Sequence, residues 1–421
     1  MTLTATKRAI DAVWRIEAPV LIARLTRMVR DVGLAEELAQ DALLVALERW
    51  PQSGVPENPG AWLMATAKHR AIDLLRRNKR LEVKQEELAR DIGVQMAMGA
   101  ADLDAALDQD LGDELLGLMF ICCHPVLSTE ARVALTLRML GGLSTPEIAR
   151  AFLVPEATVA QRIVRAKRTL AQERAAFEVP QRDELGPRLS SVLEVIYLIF
   201  NEGYAASAGE DWMRPALCEE ALRLARVLAG LLPREPEVQG LLALMEIQAS
   251  RASARVGSSG EPVLLLDQDR GRWDRLLISR GLAALARAQE LGGSLGPYGL
   301  QAAIAACHAR AQAPGDTDWV RIAALYEALA QLTPSPVVEL NRAVALGMAF
   351  GPQAGLEVLD TLRSEPSLER YHLLPSVRGD LLARLGRVDE AAAEFRCAAA
   401  LTANAREREL LLGRAGSCMN N

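Results

Sequence analysis

The sequence predicts an all-α protein of several domains, and three observations carry that prediction. Half of the 421 residues are apolar, yet aromatics make up only 4%, and the helix formers Ala, Leu and Arg recur throughout. Short Gly/Pro-rich turns interrupt long amphipathic stretches at close intervals. The length exceeds one ordinary domain and suggests roughly two to four. No run of about 18 uncharged apolar residues occurs, so no transmembrane helix or membrane partner is expected. The first residues, Met1-Thr2-Leu3-Thr4, lack a basic segment followed by an apolar one, so a cytoplasmic protein is expected.

One helix has Leu38, Ala42, Val45 and Ala46 as its inner stripe and Glu37, Asp41 and Glu48 on the other side. Trp50-Pro51 and a Gly/Pro-rich loop through Pro59 end it. A second helix runs from Gly60 to about Arg77, apolar at Trp62, Leu63, Ala65 and Ile72 and closing on Arg76-Arg77-Asn78-Lys79-Arg80.

Charge is uneven beneath the overall −6. Residues 68–80 carry a net +5, residues 82–113 a net −7 and residues 144–174 a net +3, counting Lys, Arg, Asp and Glu. Two basic islands thus flank an acidic connector, and local charge matters more for phosphate contact than the total.

The second island begins at Ser144-Thr145-Pro146-Glu147, a capping box with proline in the first turn. It opens a short helix through Ile148, Ala149 and Phe152. Pro155 permits a second start, after which Val159, Ile163, Ala166 and Leu170 recur at core spacing. Thr158, Gln161, Arg162, Arg165 and Arg168 occupy the opposite face. Two short helices with an Arg/Gln-rich second face suit a major groove, where Arg pairs with guanine and Gln with adenine. Taken alone, an Arg-bearing amphipathic helix is as well explained as a solvated face.

The segments upstream add an independent signal. Ala35-Glu36-Glu37-Leu38-Ala39-Gln40-Asp41-Ala42, then Asn58-Pro59-Gly60-Ala61-Trp62-Leu63, then Arg70-Ala71-Ile72-Asp73-Leu74-Leu75-Arg76-Arg77 resemble region 2 of extracytoplasmic-function RNA polymerase sigma factors. Leu135 to Leu170 resembles their region 4. The resemblance covers roughly the first 175 residues. It departs at Leu153 and Ala157, where many members carry glycine. Phe120-Ile121-Cys122-Cys123-His124-Pro125 and Ile148 to Glu156 are similar to a subgroup with long C-terminal extensions.

The resemblance implies core RNA polymerase as partner, through the clamp helices of its largest subunit and its flap, together with promoter DNA. Polymerase binding would fall on Glu37, Asp41 and Glu48. Lys68, Arg70, Arg76 and Arg77 would grip the single-stranded minus-ten element, with Asn58 or Trp62 bordering a base pocket. Thr158, Gln161, Arg162, Arg165 and Arg168 would read the minus-thirty-five duplex. For the region 2 residues, ordinary helix surface is the competing reading.

The expected domains are 1–82 for sigma region 2, 83–113 for the acidic linker, 114–176 for the region 4 helix-turn-helix and 185–421 for a helical extension. In the extension, Arg188 to Gly203 reads as an apolar helix ending Phe200-Asn201-Glu202-Gly203-Tyr204, which again matches the subgroup. Asn201 and Glu202 are read as structural rather than ligand-binding. Helices are expected at 213–232, 236–253, 272–291, 299–311, 319–332 and 337–350. Gly379 to Arg387, Asp389 to Phe395 and Ala398 to Leu401 resemble one tetratricopeptide repeat, with 319–362 a degenerate neighbour. Such repeats dock on the same chain or on a protein partner. The polar connection Ser258 to Gly271 is read as solvated surface.

No cofactor, metal or catalytic role is expected. Six cysteines include no CxxC pair, and Cys122-Cys123-His124 sits in an apolar run, which favours packing over a metal half-site. Four scattered histidines offer no partner at catalytic spacing, which weighs against an enzyme in the C-terminal half. A regulator that never meets polymerase would leave Glu37 and Asp41 unexplained. A promoter-recognition subunit, its activity regulated by the helical extension, is the reading that accounts for both ends.

Overall fold

A computed structural model describes residues 3–89, 111–258 and 260–419. Among the described residues the fold is all-α, with 18 α-helices and one pair of two-residue strands. The chain divides into two compact units, Met1–Ile196 and Tyr197–Asn421.

The first unit opens with α1 (Leu3–Val29), α2 (Val32–Ser53) and α3 (Pro59–Ala89). Asp31 starts α2 by accepting from the Gly33 and Leu34 amides at 2.7 and 3.0 Å, pairing N–H groups that the first turn leaves open. Gly54, at φ +83°, ends it. The three helices pack together around buried Leu21, Ile22, Leu25, Leu38, Trp50 and Leu63. The acidic linker expected at 83–113 lies for the most part outside the described residues.

Next, α4 (Leu111–Cys122) packs on α1, and Cys122 and Cys123 are fully buried. Cys123 Sγ lies 3.4 Å from Thr136 Oγ1, and burial pushes the thiol up to about 11, so this cysteine acts as core filling. The unit continues through α5 (Thr129–Met139), α6 (Thr145–Phe152) and α7 (Glu156–Gln172). The first half of α8 (Arg182–Tyr204) closes it, the helix starting at Arg182 and not at Arg188 as the sequence suggests. There Ser191 Oγ donates to the Cys123 carbonyl at 2.6 Å and Arg188 to that of Phe120 at 3.0 Å.

The second unit contains α9 (Pro215–Leu231), α10 (Pro236–Ala249), α11 (Arg275–Gly292), α12 (Pro297–Arg310) and α13 (Trp319–Leu332). It continues with α14 (Pro336–Phe350), α15 (Pro352–Leu362), α16 (Leu373–Arg384), α17 (Val388–Leu401) and α18 (Ala405–Met419). Five of these open on a proline, which is why the starts of α9, α10, α12 and α14 are visible in sequence. From α10 onward, successive helices pack on their sequence neighbours. In the α16–α17 hairpin, Gly386 turns at φ +76° and Gly379 meets Phe395 so closely that a Cβ would lie 2.9 Å from the ring.

Strands Ala208–Gly209 and Ala403–Asn404 pair in parallel, and Asn404 Nδ2 donates to the Ala206 and Asp211 carbonyls at 3.1 and 2.8 Å. This tie between the unit's beginning and end has no sequence signal. Glu202 pairs with Arg214 and accepts from the Ser207 amide, a structural use of that carboxylate.

One expectation is corrected. The connection Ser258 to Gly271 exposes Asp267 and Asp269, but Gln268 between them and Arg270 after them are buried. The Arg270 guanidinium donates to the His308 and Ala311 carbonyls at 2.6 and 2.7 Å, at the electronegative end of α12. The loop is therefore packed, not simply solvated.

Candidate nucleic-acid interface

The capping box forms as the sequence implies. Ser144 Oγ accepts from the Glu147 amide at 3.4 Å, and Glu147 Oε2 accepts from the Ser144 amide at 2.8 Å. Burial alone would raise the Glu147 carboxyl. The Ser144 amide and hydroxyl, with Arg15, nevertheless hold it below its ordinary range. Helix α6 ends at Leu153, which adopts φ +50° and ψ +41°. That left-handed conformation is the one glycine would fill at no steric cost.

Pro155 then caps α7, whose Val159, Ile163, Ala166 and Leu170 are buried, with α5 and α6 packed against the helix. The other face presents Gln161, Arg165 and Arg168 to solvent, with Thr158 and Arg162 half-buried beside them. Glu130 stands near Arg162; its carboxyl is held low chiefly by its own backbone amide, then by Ser128 and Arg162. All five residues therefore line one side of a helix whose inner face is fixed. Such a side can enter a groove without disturbing the core.

On α2, Glu37 and Glu48 are exposed and Asp41 is half-buried. Their spacing of four and seven residues puts them on one stripe. Leu44 lies in the same stripe and is 58% exposed, a residue that reading by periodicity passes over. An exposed leucine among acids gives the stripe an apolar anchor of the kind that protein interfaces use.

Arg70 reaches across from α3 to Asp41 at 2.6 Å, so the structure joins one residue expected on DNA to one expected on polymerase. Lys68 is half-buried and Arg76 is exposed near the end of the described side chains, while the Arg77 side chain lies outside them. Asn58 Oδ1 accepts from the Ala61 amide at 3.0 Å, which uses it as a helix cap. Trp62 packs edge-on against Trp50, centroids 5.2 Å apart.

Sequence reasoning also missed a contact between the two halves of this unit. Glu36, buried on α2, accepts from Arg138 Nε of α5 at 2.6 Å and pairs with Lys167 of α7. Arg15 of α1 meets Glu147 of α6 at 2.9 Å. Arg24 and Arg27 reach Glu114 of α4 at 3.3 and 3.7 Å; burial raises that carboxyl, and Arg24 foremost opposes the rise. The helix that carries the Arg/Gln face is thus clamped from behind by α2.

Both halves of this unit match known family models. Residues 14–81 match sigma-70 region 2, residues 118–170 match sigma-70 region 4, and residues 188–289 match a family of unknown function, DUF6596. An uncharacterized protein of Rhizobium meliloti (strain 1021) is 44% identical over 390 residues, which cover 92% of this chain and 91% of that protein. Both sigma regions occur in order, and their matches fall on the bundle and the helix-turn-helix described above. The chain belongs to the sigma-70 family, as a sigma factor of the extracytoplasmic-function type with a C-terminal extension.

Proposed function

We propose that the chain brings core RNA polymerase to promoters through three surfaces. The α2 stripe of Glu37, Asp41, Leu44 and Glu48 binds the clamp helices of the largest subunit, and the helix-turn-helix segment also meets the flap. Lys68, Arg70, Arg76 and Arg77 grip the single-stranded minus-ten element, where each unstacked base costs a few kcal/mol that phosphate contacts must offset. Thr158, Gln161, Arg162, Arg165 and Arg168 read the minus-thirty-five duplex.

The observation that carries this reading is the exposed row Gln161, Arg165 and Arg168 on a helix whose opposite face is locked into the core. The acid stripe with an exposed leucine favours a polymerase-bound factor over a free-standing DNA-binding regulator. Run-off transcription with purified core polymerase and a promoter library tests it. Transcripts from a discrete set of promoters are expected. DNA binding without any promoter-dependent transcript would instead support the free-standing regulator.

The name positions of the two elements differ by about 25 base pairs, or about 85 Å of duplex at about 3.4 Å per pair. Within the first unit, salt bridges hold the reading helix against α2. We read this compact arrangement as a resting form that opens on polymerase. The C-terminal extension is proposed to regulate activity, by docking on the sigma regions or on a protein partner. A truncation that tests this should end after Tyr204, because Arg188 and Ser191 of α8 belong to the first unit's packing. Unchanged transcription by that truncation under every condition would remove the regulatory role.

A further inference from the structure

The interior of the second unit holds three arginines, Arg251, Arg255 and Arg270, each less than a tenth exposed. Among the described residues none of the three forms an ion pair with a carboxylate. A buried cation without compensation costs several kcal/mol, so each needs an account. Arg270 has one in the α12 carbonyls, with Thr317 Oγ1 at 3.3 Å and the field of Asp316. Arg255 lies over the Tyr204 ring, 3.4 Å from its centroid, with Trp212 at 5.5 Å.

Arg251 has neither a set of helix carbonyls nor a ring in close contact. It donates to Gln248 Oε1 and stands 5.9 and 5.8 Å from the Tyr204 and Trp273 rings. Among the described residues the Nε–H groups of all three arginines lack a partner, but of the three only Arg251 lines the cavity around His308. At 6% exposure it lines a cavity of about 360 Å³ enclosed by α8, α10, α12, α13 and α14. His308 lines the same cavity at 7% exposure, and its Nδ1 is likewise unpaired. Asn341 stands at the open rim, Leu244, Ile304 and Leu329 supply apolar wall, and no Asp or Glu lines the space.

Two buried side chains, each with one unpartnered nitrogen, beneath walls of mixed character (Tyr197, Gln301 and Tyr326 beside Leu244, Ile304 and Leu329), describe a site for an acceptor group. A guanidinium with open N–H donors pairs best with a planar, two-oxygen anion. Burial, with Arg251 and Arg270 nearby, brings His308 down to about 4, so the imidazole is neutral at pH 7. The cavity then presents a single positive charge, which balances one negative charge and not two. Its volume falls in the range of small-molecule sites.

We propose that this cavity in the C-terminal extension binds a small organic monocarboxylate with an apolar body, its carboxylate on Arg251 and His308. The site is separate from the promoter-binding surfaces and gives the extension a chemical input.

The test is thermal unfolding of the full chain titrated with benzoate, phenylacetate and isovalerate, beside benzamide and inorganic phosphate. At least one carboxylate should raise Tm saturably, by about 5 °C or more at a hundred times its Kd, while benzamide does not. Arg251→Gln should abolish the shift. Because that change could loosen the fold, Val338→Trp, which narrows the cavity while leaving Arg251 in place, should abolish it too. Trp319, whose ring lies 5.1 Å from that of His308, provides a local fluorescence readout. The proposal is overturned if none of the carboxylates acts, if phosphate alone acts, or if the shift survives in either variant.

Discussion

Leu153 holds a left-handed backbone at the turn of the helix-turn-helix while leaving 54% of its surface in solvent. For a residue with a Cβ that conformation costs about 1–2 kcal/mol, partly offset by the larger entropy glycine loses on folding. Leu153→Gly should therefore raise stability by about 0.5–1 kcal/mol, read as a higher Tm, with the DNA face unchanged. The resemblance to region 4 drew attention to the position as a departure from the family pattern, but only the dihedral angles show that leucine keeps the left-handed geometry. His308 gives a second prediction at this scale. Burial lowers its folded pKa to about 4 from an ordinary 6.5, so between those values the unfolded chain binds the extra proton. Its contribution is intact above about pH 6.5 and is lost as pH falls towards 4, at no more than about 1.4 kcal/mol per pH unit. Stability curves of His308→Gln and the wild type should converge with falling pH across that window; parallel curves would contradict the account. Nothing in the sequence marked His308 or Arg251, because a buried polar residue leaves no periodic signature, whether on a helix, as His308 is, or in the turn after one, as Arg251 is.

At the scale of elements, the sequence-readable features are those with local causes. The Ser144–Glu147 box and the core stripe of α7 involve residues within a few turns of one another, and both are found where expected. Of the second unit's helices that open on proline, α10 starts at the expected residue and α9, α12 and α14 within two residues of it, while the start at Pro352 was not expected. On the outer face of α7, Arg162→Ala should weaken minus-thirty-five binding by about 1–3 kcal/mol if the guanidinium reads a base. A uniform loss across all promoter sequences would assign it to phosphate instead. Helix α2 was half legible. Its acids stood out, but Leu44, in register with them and 58% exposed, was passed over because an apolar residue on the outer stripe carries no periodic signal. Leu44→Ser should weaken binding to core polymerase by about 1–2 kcal/mol, measured by titration, while leaving the helix folded. The packed loop around Arg270 was misread for the opposite reason: its exposed aspartates mark the surface, and the arginine that follows them is buried.

At the scale of the molecule, the clamp of Glu36 on Arg138 and Lys167 joins segments far apart in sequence, a pairing that no single-chain pattern encodes. Glu36→Gln removes the charge and leaves two cations facing a neutral amide. Faster amide exchange on the facing sides of α2 and α7 is expected, with the helices themselves retained; unchanged exchange would mean the clamp does not hold the unit closed. The division at Ile196 and Tyr197 falls within α8, so no composition shift announces it. The central claim is that one chain engages two separated promoter elements while bound to polymerase. Footprinting of the reconstituted holoenzyme on a selected promoter tests it most directly, with permanganate to detect melted thymines. The wild type should protect the upstream duplex and expose reactive thymines downstream, and Arg162→Ala should lose upstream protection first. Protection at one element only, or protection without melting, would contradict the account.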